Sequence, residues 1–161
     1  MAQFEDMEGR SWSTGVTVAT LRRVKAALGV DLLSLADESS RPEENLLYRL
    51  MSDPCVLCDV LYVVCKPDLD AAGVSDEQFG GALGGDCLAA AADALIEGIV
   101  DFFPDPRDRS RARRAIEAIK TVTQKAHDAL DAALDPAAIA ARTEAMVADL
   151  TAAGDRTGSG G

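Results

Sequence analysis

Residues 4 to 35, FEDMEGRSWSTGVTVATLRRVKAALGVDLLSL, change hydrophobic period within one short stretch, and that change limits the architectures open to the chain. Phe4 and Asp6 precede a turn at Glu8 and Gly9. Trp12, Thr14, Val16 and Val18 then alternate with polar or small residues, the period-2 pattern of a half-buried strand. Between residues 17 and 20 the period becomes helical. Leu21, Val24 and Leu28 fall on one face, Arg22, Arg23 and Lys25 on the other, and Gly29 supplies a stop. A hairpin running straight into an amphipathic helix opens a small mixed domain and is not a catalytic signature.

The rest of the chain reads as helices separated by breakers. The polar segment ADESSRPEE after Leu32, Leu33 and Leu35 is a loop, with Pro42 suited to the first turn of a helix over about 43 to 52. Asp53 and Pro54 open a second helix to about residue 65, closed at Lys66 and Pro67. Ser75 with Gln78 fits a capping box for a short helix through Leu83. A longer helix follows from 86 to 103, with Leu88, Ala91, Leu95, Ile99 and Phe102 on one face. Pro104 and Pro106 separate it from a helix over 107 to 133, and Pro136 starts the last, to about Ala152. The expected fold class is therefore mainly α with a small N-terminal β-hairpin (α+β). The expected organisation is a hairpin plus helical domain over 1–104, a C-terminal helical arm over 105–153 and a flexible tail over 154–161.

Length and charge exclude some functions. A chain of 161 residues can bury one real core. Aromatic residues make up only 4% of it, so Leu, Val and Ile must supply the core. The 27 acidic residues against 16 basic give a net charge of -11, which repels phosphate backbones and anionic membranes. Protein partners are expected, and neither nucleic acid nor membrane. No apolar run reaches the roughly 20 residues of a spanning helix, and the acidic start MAQFEDMEGR does not resemble a signal peptide, so a cytoplasmic location is expected.

Residues with chemical potential each have a plainer explanation. Cys55 and Cys58 spell CxxC, which fits a zinc site or a redox pair. They lie with Cys65 inside the apolar run PCVLCDVLYVVC, no second CxxC or His pair follows, and Cys87 and His127 are distant. Positions 55, 58, 62 and 65 share one helical face and 57, 61 and 64 another, so the cysteines read as small hydrophobes in a helix buried nearly all round. Asp59 and Asp31 could form a carboxylate pair, but no nucleophile or base completes it, and capping or hydrogen bonding explains them better. His127 sits on a polar helix and reads as solvated. No catalytic residue, cofactor site or metal site is expected.

Partner contacts are the remaining possibility. RDRSRARR, residues 107 to 114, is the one basic run, and Arg107, Arg111 and Arg114 share a helical face that could meet an acidic partner or a phosphate; a solvated face is the alternative. Trp12 could anchor a partner or pack the hairpin onto the helices. Leu21, Phe102 and Phe103 complete the set of possible contacts.

GRSW, VTVATLRRVKAALGVDLL, CVLCDVLYVVCKP, VSDEQFGGALGGDCLAAAADAL and DFF, in this order over residues 8 to 103, resemble small tail-assembly proteins of tailed phages and prophages. The resemblance implies a non-enzymatic tail assembly chaperone that holds the tape-measure protein soluble during growth of the tail tube in the cytoplasm of the bacterial host. It implies other phage tail proteins as partners, with a homo-oligomer possible. A structural virion component, such as a connector or tail completion protein, is the first alternative. A small Cys-dependent metal or redox protein is the second.

Overall fold

The computed structural model describes residues 2–37, 41 and 44–155. It divides into two compact units, residues 1–117 and 118–161. Mainly helical with one small hairpin, it has the expected fold class: eight α-helices, a 3-10 segment over Leu32–Ala36 and a two-stranded antiparallel sheet among the described residues.

Strands β1 (Gln3–Glu5) and β2 (Ser11–Ser13) pair with Phe4 opposite Trp12. The second strand is shorter than the alternation over Trp12 to Val18 predicts. The Thr17 side chain accepts the Thr20 N–H and starts helix α1 (Val18–Leu28), so Val18 leaves the strand period and is exposed. Helix α1 ends as expected at Gly29, at φ 68° in the left-handed region that glycine enters without a Cβ penalty, its N–H bonded to the Lys25 carbonyl. Its buried face is Thr20 and Val24. Leu28 is exposed and Leu21 half-buried, so the stripe is rotated toward the threonine.

Helix α2 (Leu46–Ser52) is capped by Asn45, which lies past the expected start near 43; Pro42 and residue 43 are outside the described residues. Helix α3 (Pro54–Val64) follows at once, with the Asp53 carboxylate accepting the N–H groups of Cys55 and Val56. Lys66 and Pro67 do not close this element into a loop, as the sequence suggests. They open helix α4 (Lys66–Ala72), because a proline in the first turn gives up only an N–H that has no helical partner. Helix α5 (Asp76–Gly81) shows both bonds of the Ser75–Gln78 capping box. Helix α6 (Asp86–Phe102) buries Ala91, Leu95 and Ile99 from the expected stripe, with Leu88 and Phe102 half-buried. Helices α7 (Pro106–Leu134) and α8 (Pro136–Asp155) complete the chain.

Helix α3 is the centre of the first unit and touches α1, α2, α4, α5 and α6. Leu57, Val60, Leu61 and Val64 are buried, whereas Cys55 and Asp59 are exposed and Cys58 is half-buried. The expectation of burial all round therefore holds only in part: the 57, 61, 64 face is buried, whereas the face of 55, 58, 62 and 65 runs from exposed Cys55 through half-buried Cys58 and Tyr62 to buried Cys65. The first unit also extends past the expected boundary at 104, because Ala112 and Ile116 on α7 are buried. Gly154 and Asp155, assigned to the tail, continue α8, and 156–161 are outside the described residues.

The residue that follows the hairpin docks against the backbone of α6. Thr14 Oγ1 donates to the Ala94 carbonyl at 2.8 Å, and a Cβ added at Gly98 would lie 2.2 Å from the Thr14 carbonyl oxygen. Only glycine permits that approach. Gly98→Ala should therefore destabilise the fold by about 3 kcal/mol through forced separation of the hairpin from α6. Gly81→Ala, with nothing within 4 Å of the added carbon, should be close to neutral. Urea denaturation of the two variants checks this.

Candidate partner-binding surface

Of the residues read from sequence as partner contacts, Trp12 is withdrawn by its burial. It is 3% exposed, stacks edge-on against Phe79 with centroids 5.8 Å apart, and donates its indole N–H to Asp6 Oδ2 at 2.9 Å. Packing the hairpin onto the helices is its role. Phe103 is buried as well, at the C-terminal cap of α6. Leu21 and Phe102 are half-buried and partly available. Phe102 borders an open depression of about 380 Å³ with Ala2, Gly15, Val16, Thr17, Gly98 and Asp101.

Arg107, Arg111 and Arg114 are brought together as the helical spacing predicts. All three are exposed and line, with Pro106 and Ser110, an open depression of about 460 Å³. The start of α7 that carries them is fixed by Asp105, whose carboxylate accepts the Arg107 N–H at 2.8 Å and whose carbonyl accepts the Arg109 N–H. Ser110 Oγ donates to the Pro106 carbonyl within the helix, so the guanidinium groups are the charged donors that line the depression. Of the three, Arg111 lies 3.8 Å from the Asp108 carboxylate, and beside them Arg113 lies 3.6 Å from Asp101. These exposed contacts hold the arginines weakly. Three planar guanidinium groups on one face suit carboxylates, which they can grip through two parallel hydrogen bonds.

Of the residues with possible metal or redox chemistry, only Cys55 and Cys58 lie close together, one turn apart on α3. Cys55 is exposed, Cys58 and Cys87 are half-buried and Cys65 is buried, its thiol donating to the Ser13 carbonyl. Among the described residues no group of three or more His, Cys, Asp and Glu is placed to hold a metal ion. Burial, helped by Asp68, pushes the Cys65 thiol up to about 12. Burial, then Asp59, Asp76 and Cys55, also raises the Cys58 thiol. Both thiols are thus held in the unreactive protonated form. Asp31 caps the 3-10 segment by accepting the Leu33 N–H, and Asp59 is exposed on α3 rather than buried as its apolar surroundings in sequence suggest. His127 is exposed on α7.

Sequence reasoning passed over Asp6, whose carboxylate is the acceptor of four hydrogen bonds. Its carboxylate accepts the N–H groups of Glu8 and Arg10, the Arg10 Nε and the Trp12 indole N–H, all at 2.8–3.0 Å, and it is fully enclosed. The clue was an aspartate placed immediately before a glycine-containing turn, where its side chain can bond backbone N–H groups ahead of it. Burial raises its pKa, but the bonds from Arg10, Trp12 and Glu8 outweigh burial and hold the carboxyl below its usual range. It therefore serves structure, tying the turn to the tryptophan.

No family model, curated protein or solved structure matches the chain.

Two measurements follow from these environments. Because the Asp6 pKa is depressed in the folded chain, its stabilisation is complete above the unfolded value near about 3.9 and disappears as pH falls through the lower folded value. Asp6→Asn should cost about 2 kcal/mol at neutral pH and shrink the acid-induced loss of stability, read by denaturation at pH 7 and pH 3. Thiol labelling of the native protein at neutral pH should modify Cys55 first and Cys65 only after denaturant is added; rapid native labelling of Cys65 would contradict its burial.

Proposed function

We propose that the chain is a non-enzymatic phage tail assembly protein, a chaperone that holds the tape-measure protein while the tail tube grows in the host cytoplasm. The observation that carries this reading is the contrast between the two units. Residues 2–117 close a core, whereas none of residues 118–153 is buried, and Val122, Leu130 and Leu134 on α7 leave more than half of their surface exposed. Apolar side chains presented along a helix suit a second amphipathic helix, which is the form a long tape-measure protein offers. The guanidinium face at Arg107, Arg111 and Arg114 adds a site for acidic side chains of the same client, and Phe102 with Leu21 gives a smaller apolar contact. Trp12, enclosed against Phe79, takes no part. Among the described residues no helix is long and apolar enough to cross a membrane.

Co-expression with a tape-measure protein from the same phage or prophage should give a soluble complex that is captured on a tag. Replacing Val122, Leu130 and Leu134 together by serine should abolish capture while leaving the unfolding of the first unit unchanged. A triple variant that still captures the client would sink this reading. Mass spectrometry of purified particles separates it from a virion component: the chaperone is absent from finished tails, and a connector or completion protein is retained.

A further inference from the structure

Helix α8 carries an apolar stripe that no described residue covers. Ile139, Met146 and Leu150 are 46%, 65% and 69% exposed, and with Thr143 they follow one another at steps of four, three and four residues. That is the period of a coiled-coil seam. Thr143 fits it because its hydroxyl donates to the Ile139 carbonyl within the helix, leaving its methyl for the seam. Alanines at 140, 141, 145 and 148 keep the surroundings small enough for a second helix to approach closely.

We propose that α8 is a homodimerisation element and that its occupant is α8 of a second copy, running antiparallel across a two-fold axis. The argument is the charge register of the seam. Setting Ile139 against Leu150 of the second copy sets Thr143 against Met146 of the second copy, and the two-fold repeats both pairs. In an antiparallel coiled coil the positions just before Thr143 and Leu150, which lie on one flank of the seam, then face each other. Here those positions hold Arg142 and Asp149, so Arg142 meets Asp149 of the second copy and the same pair recurs on the other side of the axis. On the opposite flank Ala140 meets Val147 of the second copy, a small side chain against a larger one that is 55% exposed in the single chain. A parallel alignment instead brings Arg142 to Val147 of the second copy and leaves the charge without a partner. Neither Arg142 nor Asp149 has an ion-pair partner among the described residues. One patch thus complements itself in shape and in charge, as an isologous two-fold contact requires. Self-pairing through α8 uses none of the α7 side chains assigned above to the client, so dimerisation and capture of a client are separable.

The test is the mass of the full chain in solution, followed by sedimentation equilibrium with no client present. The wild type should be a dimer. Arg142→Asp and Asp149→Arg should each weaken it roughly tenfold, by turning both symmetric attractions into repulsions. The double exchange, Arg142→Asp with Asp149→Arg, should restore it. Leu150→Glu should give a monomer whose helicity by circular dichroism, allowing for dissociation, shows the first unit intact. A wild-type chain that is monomeric throughout overturns the proposal. So does a dimer indifferent to the single reversals, or one that the double exchange fails to recover.

Discussion

Burial of α3 is the constraint around which the first unit is built. Five other helices touch it, and Leu57, Val60, Leu61 and Val64 are almost completely withdrawn from water. At about 1.5–3 kcal/mol for each large aliphatic side chain buried, this one short helix supplies several times the net stability of a typical domain per residue, before the entropy of ordering is counted. Its ends must be exact in position, and local chemistry fixes them. Asp53 caps the start, Pro54 occupies the first turn, and Pro67 turns the chain into α4. The hairpin then closes over this core through Trp12, whose ring meets Phe79 on α5, which in turn lies 6.2 Å from Tyr62 on α3.

That aromatic path explains why an enclosed carboxylate is tolerated at Asp6. An unpartnered buried charge would cost several kcal/mol, yet here four donors meet the carboxylate. The carboxylate orients the indole, the indole fixes the contact with Phe79, and the turn itself is tethered by the Met7 N–H on the Ala82 carbonyl at the end of α5. Polar and apolar terms therefore act on the same few atoms. The close approach at Gly98 completes the arrangement, because Thr14 can satisfy the Ala94 carbonyl only where the α6 backbone is bare.

Features governed by neighbours along the chain were legible in the sequence, and features governed by neighbours in space were not. Gly29, the Ser75–Gln78 box and Pro136 each act within four residues, and each ends or starts a helix where expected. The direction in which a helix faces is a different matter. Periodicity finds two faces on α3 but cannot say which one meets the core, so a reading that buries the helix nearly all round places Cys55 and Asp59 inside, whereas both are exposed. Trp12 illustrates the same limit: an aromatic on a short strand can be an anchor or a core residue, and only Phe79 and Asp6, distant in sequence by 67 and 6 residues, decide it. Helix α4 was missed for a local reason, since a proline both ends one helix and begins the next. The three arginines came together because one helical face is a local property; the depression beside them was not readable.

Charge distribution then decides what kind of partner such a surface can select. The chain carries -11 overall, yet residues 107 to 114 hold five arginines and one aspartate, so a positive face stands on a negative body. On the reading proposed above, a short acidic segment of a protein would meet the arginines, whereas a long polyanion would also meet the rest of a chain whose net charge is -11. At physiological ionic strength the screening length is about 8 Å, so the selection works at contact range and weakens with salt. Apolar contacts along α7 do not weaken in this way. For the client proposed above, contacts of that apolar kind would set residence time, the part of binding that salt does not tune.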